Sequence, residues 1–341
     1  MKLPVCPHPA ISVVMPTHQR KASLERTLQA LARQVYPSHL VELILVCDGG
    51  NDGSLEMARS MQFPFELRAL WQENAGPAAA RNLALAHARG QLIVFLDDDV
   101  IPHPRLLAEH AVAHSDADDR VVIGPLLPPN EARSPWVRWE LRTVERQYAE
   151  MEAGDYRPGP RQFYTGNASV RLEHVLGAGG FDPKFRRGED VELAFRLQAR
   201  GLRFVFHRKA GALHMADRSL ESWLRAAFEY GRNDMIIGHL RGRPDMLGAV
   251  AREFHERHSL SRALVRWTTP VPRVQAGLAR VLGELSRGAK AAGGDRFALP
   301  LCSAAFALAY WRGVCAQLGG PEAVTDLIKQ GRAAPTAAVG R

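Results

Sequence analysis

Two periods alternate along the first 240 residues. Short, continuous apolar runs at Ile11–Met15, Leu43–Cys47, Phe65–Leu70, Leu92–Leu96 and Arg120–Gly124 read as buried strands. Between them lie stretches with helical spacing. Ala22–Gln34 places Leu24, Leu28, Leu31 and the adjoining Val35 on one face. Leu55–Met61, the segment from Asn74 through Ala88, and Leu106–His114 follow. Ser54 is placed to cap the second of these helices, and Pro77 falls in the first turn of the third. Strands alternating with helices predict a mostly parallel sheet with helices on both faces. Further on, the pattern predicts helices at Trp136–Glu152, Val191–Arg200 and Leu220–Ile237. It also predicts a strand at Arg203–Phe206 and one at Phe163–Arg171, interrupted at Gly166-Asn167. Val274–Lys290 is amphipathic, with Leu278, Val281, Leu282 and Leu285 opposite Arg280, Arg287 and Lys290. Ala333–Arg341 reads as a disordered end.

Composition adds little to the class and more to the organisation. The 341 residues are 46% hydrophobic and 23% charged, as in ordinary globular proteins. The first ten residues have no apolar h-region, so no secretory signal is expected. No segment reaches the roughly 18–20 uncharged apolar residues of a spanning helix; Phe297–Trp311 is short of that and contains Pro300. Cys6, Cys47, Cys302 and Cys315 show no paired spacing, which suggests reduced thiols and a cytoplasmic protein. The net charge of +8 lies wholly from Arg241 onward, the first 240 residues being balanced. This asymmetry predicts two parts, 1–240 and a basic, mainly helical 241–341. It also predicts an anionic partner for the second, such as the inner face of a membrane.

The chemistry gathers at the ends of the strands. Leu92–Leu96 runs into Asp97, Asp98 and Asp99. Three adjacent acids repel one another unless a positive group sits among them. A hard divalent cation that also takes phosphate oxygens would suit them. In an open α/β sheet the carboxyl ends of strands are where ligands bind. Pro16-Thr17, Asp48, Arg81 and Asp97–Asp99 would all face that edge. A carboxylate for a base N–H, an arginine for base or phosphate, and acids for a metal together suit a nucleoside diphosphate. No G-x-G-x-x-G or G-x-x-x-x-G-K-[ST] follows the early strands, which disfavours a dinucleotide or NTPase reading.

Seven segments in order, VVMPTHQR, VCDGGNDGS, NAGPAAARNLAL, IVFLDDDV, GNASV, GGFD and RRGEDVELAFRL, make residues Ile11–Tyr230 resemble the inverting family 2 glycosyltransferases. The resemblance implies the GT-A fold, an α/β nucleotide-sugar-binding fold with a mostly parallel central sheet, here followed by a helical C-terminal region. It implies that Pro16 and Thr17 line the nucleotide pocket, Asp48 meets the uracil N3–H of a UDP-sugar, and Arg81 flanks the base. Asp97 and Asp99 match the ends of the D-x-D motif. Asp97 and Asp98 would serve the nucleotide-sugar. Asp99, with Asp97 and His214, would serve Mn²⁺ or Mg²⁺. Asp190 matches the general base, with Glu189 in support. Gly179, Gly180 and Phe181 would form the acceptor floor.

The chain departs from the family pattern at Cys47, where relatives often carry an acid, and it lacks the Q-x-x-R-W of processive synthases. The expectation is therefore a single transfer of a hexose-type sugar to a hydroxyl of a glycan or lipid-linked acceptor, with no nucleic acid as partner. The alternative is an inactive binding or scaffold subunit of a glycan-assembly complex. A nucleotidyltransferase would need an early glycine-rich basic loop that is not present.

Overall fold

In the computed structural model, which describes residues 8–128, 134–185, 187–215, 218–240, 242 and 244–333, the apolar runs pair edge to edge. The strands are β1 (Ile11–Thr17), β2 (Val41–Asp48), β3 (Glu66–Gln72), β4 (Leu92–Leu96), β5 (Val100–Pro102), β6 (Arg120–Ile123), β7 (Leu126–Leu127), β8 (Asn167–Arg171), β9 (Arg203–Phe206) and β10 (Ala212–His214). Seven of them form one sheet in the order β3-β2-β1-β4-β8-β6-β9. β3, β2, β1 and β4 are mutually parallel, β8 runs antiparallel to β4 and β6, and β6 is parallel to β9. β5, β10 and β7 make a second, three-stranded sheet.

The period of two within each apolar run explains the layering. Ile11, Val13 and Met15 of β1 face one core with Leu43 and Leu45 of β2 and Val94 and Leu96 of β4. Val14, Ile44, Val46, Ile93 and Phe95 face the other. The first face is covered by α1 (Lys21–Leu31), α2 (Ser54–Ser60) and α4 (Leu106–Ala113). The second carries α3 (Pro77–His87) and, further along the chain, α7 (Glu189–Ala199). α5 (Pro135–Ala153) and α6 (Leu172–Gly177) complete the helices of this part.

The chain divides into two compact units, Met1–Asn130 with Val144–Ala216, and Glu131–Thr143 with Asp217–Arg341. The second is wholly helical among the described residues. After the first half of α5 it contains α8 (Leu220–Leu240), α9 (Pro244–Glu256), α10 (Ser259–Thr268), α11 (Pro272–Gly293), α12 (Asp295–Leu318) and α13 (Pro321–Ala333). It begins before the change in charge at residue 240, because Trp223, Leu224 and Ala227 of α8 belong to its core with Trp311 and Val314 of α12. α12 is longer than the apolar run suggested. By length and composition it could cross a membrane, with a mean hydropathy of 1.3, yet 61% of that stretch is buried inside the unit. The expected disordered end, from residue 334 on, and Cys6 lie outside the described residues.

Some local expectations change. The strand expected at Phe163–Arg171 starts only at Asn167, because Thr165 and Gly166 make a turn just before it. Ser54 is the first residue of α2 rather than its cap. The Asp52 carboxylate does that work, accepting from Ser54 N at 3.1 Å and from Lys21 N at 2.9 Å, and so ties the starts of α1 and α2 together.

Candidate functional site

The site begins at the end of β2. Asp48 is buried, and both its oxygens organise the segment that leads into α3. Oδ1 accepts from Gln72 Nε2 at 2.7 Å and from Ala75 N at 2.9 Å, and Oδ2 accepts from Gly76 N at 2.9 Å. The Asp48 carbonyl accepts from Asn74 Nδ2 at 3.1 Å and lies 2.7 Å from His18 Nδ1. Asp48 thus sets the loop between β3 and α3. The spare lone pair on Oδ2 is what remains for a further donor.

At the end of β4 the three aspartates diverge. Asp98 turns inward: Oδ2 accepts from the Thr17 hydroxyl at 2.6 Å and Oδ1 from Arg20 at 3.1 Å. Burial pushes its carboxyl up to about 6, against the pull of Thr17 and Arg20. Thr17 and Asp98, both expected to serve the nucleotide, are buried and hydrogen-bonded to each other. Pro16 lies just before Thr17, half-buried within β1. Asp99 accepts from Arg20 at 2.7 Å and faces His214, whose Nε2 lies 3.6 Å from Oδ1. β10 supplies that histidine, and the N–H of Met215 anchors to the Asp99 carbonyl at 2.8 Å. Although burial alone would raise it, His214 and Arg20 together hold the Asp99 carboxyl down to about 2, so it is ionised at neutral pH.

Asp97 is the most open of the three, with its side chain 37% exposed, and it is gripped from behind by Arg81. The guanidinium of Arg81, only 5% exposed, donates to Asp97 Oδ1 and to Glu189 Oε1, each at 2.8 Å. The guanidinium expected to flank a base is thus turned toward these two carboxylates. It is a clamp joining the end of β4 to the start of α7. Glu189 is the first residue of α7 and Asp190 the second, where the helix dipole favours negative charge. Asp190 Oδ1 accepts from Val191 N at 2.8 Å. Burial first, and the neighbouring Glu189 charge second, push the Asp190 carboxyl well above the usual carboxylate range.

The glycine-rich GGFD segment, expected to form the acceptor floor, is anchored from two sides. Phe181 is 1% exposed and packs edge-on against Phe95, with ring centres 5.4 Å apart. Its ring belongs to the core on the α3 side of the sheet. Its backbone N–H and carbonyl both bond to the Asn82 amide at 2.8 Å. Gly180 has φ +69°, and a Cβ there would stand 2.7 Å from Asn82 Oδ1, so the turn needs glycine. Gly179, at φ +85°, opens into free space. Asn167 is likewise structural. Fully buried, it donates to Ala210 O at 2.7 Å and Pro125 O at 3.2 Å, and its Oδ1 lies 2.9 Å from His110 Nε2.

The structure joins Asp97 and Glu189 through Arg81 and sets Arg20 and His214 against Asp99, while Asp48, Thr17, Asp98 and Phe181 are buried. Sequence reasoning missed Arg20, Asn74 and Gln72. Arg20 and Asn74 lie within the quoted segments and Gln72 just before one, but their roles depend on contacts between distant segments. Among the described residues no three His, Cys, Asp and Glu side chains form a ready-made metal cage. Asp99, ionised and backed by His214, with Asp97 nearby in sequence, fits a hard cation that carries phosphate oxygens with it. Arg20 holds the positive charge at Asp99 in this structure.

Residues 12–176 match the model of glycosyl transferase family 2. The chain is 31% identical over 230 residues to validoxylamine A glucosyltransferase of Streptomyces hygroscopicus subsp. limoneus, a match covering 59% of this chain and 51% of that one. It thus spans about half the length of that relative. It is 33% identical over 235 residues to glycosyltransferase AglE of Haloferax volcanii, covering 67% of this chain and 74% of that one. The fold is similar to that of the mannosyltransferase PcManGT from Pyrobaculum calidifontis, solved in complex with GDP-Man and Mn²⁺. The TM-score is 0.61 at 20% identity, over 89% of this chain and 86% of that one.

Proposed function

Because the chain belongs to glycosyl transferase family 2, we propose that it is an inverting glycosyltransferase that moves one sugar from a nucleotide-sugar to an acceptor hydroxyl, in a non-processive reaction. The observation that carries this reading is the Arg81 clamp, which fixes Asp97 and Glu189, and with it Asp190, into one constellation. The acceptor oxygen attacks the anomeric carbon in line and the bond from that carbon to the diphosphate breaks. The proton of the hydroxyl passes to Asp190. Its raised affinity for a proton suits a base working near neutral pH. Asp99, Asp97 and His214 would hold Mn²⁺ or Mg²⁺, which supplies positive charge to the departing diphosphate. Arg20 must release Asp99 to admit that cation, and its 53% side-chain exposure leaves it room to move.

The donor is proposed to be UDP-linked, on the strength of the carboxylate at Asp48, the group suited to an N3–H. The GDP-Man complex of PcManGT makes a guanine nucleotide the alternative to test. The acceptor is proposed to be a glycan or a lipid-linked intermediate, with peripheral membrane contact through the basic part beyond residue 240 and a cytoplasmic location. Melting temperatures measured with UDP, GDP, CMP and dTDP, with and without Mn²⁺, test the reading. A stabilisation by UDP that requires Mn²⁺ and vanishes in Asp99→Ala is expected. No stabilisation by any of the four would favour the scaffold alternative.

A further inference from the structure

We propose that the helical unit contains a phosphate-binding pocket of its own. Three segments far apart in sequence converge on it: Ser134, Pro135 and Trp136 at the start of α5, Arg218 and Ser219 at the start of α8, and Arg287 with Lys290 on α11. The cavity between them is about 540 Å³, far more than the roughly 10–15 Å³ that a single water needs. All seven residues belong to the same unit. Arg287 and Lys290 stand three apart on one helical face. The Trp136 indole donates to Arg218 O at 2.7 Å, which fixes the two helix starts side by side.

The lining is cationic and rich in donors. Arg218, Arg287 and Lys290 bring three positive charges. Glu140 lies 3.7 Å from Arg218, and Glu284 pairs with Arg287 at 2.8 Å, but neither acid lines the cavity. α5 and α8 are 19 and 21 residues long, so each presents an N-terminus with its first-turn N–H groups and a positive dipole end. Ser219 caps α8, accepting from Ser222 N at 3.2 Å. Ser134 occupies the corresponding place on α5, where its carbonyl accepts from Arg138 N at 3.2 Å. Its hydroxyl, however, is shut away from solvent with no hydrogen-bond partner in the structure. A buried hydroxyl without a partner is costly, and Ser134 is among the residues that line the cavity.

Several cations, hydroxyl donors and helix starts on different sides suit a tetrahedral dianion better than a planar carboxylate. No aromatic face is open for a base, because Arg287 covers the Trp136 ring at 4.7 Å and the indole is 2% exposed. The ligand is therefore a phosphomonoester or diphosphate group, whose source is either a lipid headgroup or a soluble phosphoester. This inference does not depend on the transfer reaction.

The test uses the full chain, with inorganic pyrophosphate as probe and EDTA present to silence metal-dependent binding at the strand ends. Pyrophosphate should raise the melting temperature of the wild type and of Asp99→Ala equally. Lys290→Glu and Ser134→Asp should each weaken its binding at least tenfold. Aspartate caps a helix as well as serine, so a loss in Ser134→Asp is not a loss of folding, and retained circular dichroism checks both variants. Vesicles containing phosphatidate, set against vesicles of phosphatidylcholine alone, separate the sources. Capture of the wild type but not of Lys290→Glu supports a lipid headgroup. Pyrophosphate binding without vesicle capture supports a soluble phosphoester. No pyrophosphate effect on the wild type, or an equal effect on Lys290→Glu and Ser134→Asp, overturns the proposal.

Discussion

In the sheet unit the interior carries charge. Glu42, Asp48, Arg81, Asp98, Glu189 and Glu192 are all buried, each against donors or acceptors from another segment or a neighbouring turn. In the helical unit the interior is aromatic and small. Trp223, Phe254 and Trp311 pack with Ala305, Ala307, Leu308 and Val314, and no charged side chain is buried among the described residues. Both units fill their cores, but only the first tolerates the desolvation of ionised groups, which is expensive unless every charge is paired. The difference locates chemistry. Arg81 and Glu189 bury charge where the end of β4 meets α3 and α7, Asp48 buries it at the end of β2 and Asp98 against the end of β1, and the helical unit buries none among the described residues.

Breaking the Arg81 clamp should have the largest effect on this contrast. Arg81→Met leaves the Glu189 carboxylate buried without its cation. It should cost about 3–5 kcal/mol in urea denaturation and abolish transfer. A variant of near wild-type stability would mean that the carboxylates do not need the arginine. The matching test in the helical unit is Gly313→Ala. A Cβ there would stand 1.9 Å from Phe228 O, and one at Gly231 would stand 2.0 Å from Tyr310 O, so α8 and α12 touch backbone to backbone. Overpacking of this kind should cost about 1–3 kcal/mol while the nucleotide-induced rise in melting temperature is kept. Loss of that rise would show the two units to be less separable than their cores suggest.

A smaller, pH-dependent effect sharpens the account of the sheet unit. Burial pushes His110 down to about 4 and His114 down to about 3, both on Ser169 Oγ, at 2.8 and 2.9 Å. The folded chain keeps them neutral, whereas the unfolded chain takes up protons below about pH 6.5. The unfolded state thus binds more protons in that window, and stability should fall as pH drops from about 6.5 toward 4, by about 1.4 kcal/mol per pH unit for each histidine. Asp98, raised to about 6, and Asp190, raised to about 7, act in the opposite sense and offset much of the slope. Denaturation of His110→Gln across this range should give a visibly flatter dependence. An unchanged slope would assign the acid sensitivity elsewhere.

Much of the sheet unit was legible because its strands announce themselves. A run such as Leu92–Leu96 followed by Asp97–Asp99 fixes both a buried strand and a polar strand end, and the alternation within it sets the two layers. Which aspartate faces outward was not legible. Asp98 turns inward because Thr17 and Arg20, about 80 positions earlier, meet it there, and local spacing cannot encode that meeting. The ion pair of Arg81 was hidden for the same reason, since a helix arginine near a ligand edge reads as solvent-facing until Glu189 is known to lie behind it. Phe181 follows a glycine pair that suggests an open loop, yet the amide of Asn82 closes that loop from the opposite side of the sequence. In the helical unit the amphipathic stripe of α11 was readable, but the cavity was not, because it needs three helices brought together.

The most direct test of the central claim is the transfer rate and donor affinity of Asp190→Asn, with the pH profile of the wild type alongside. Donor affinity should be nearly unchanged and transfer slower by on the order of 10²–10⁴-fold, the usual effect of removing a positioned general base. Because the base works ionised, wild-type kcat/KM should rise with pH through a pKa above the ordinary carboxylate range, and the variant should lose that rise. Transfer by Asp190→Asn at the normal rate would contradict the account and leave the Arg81 clamp without a catalytic purpose.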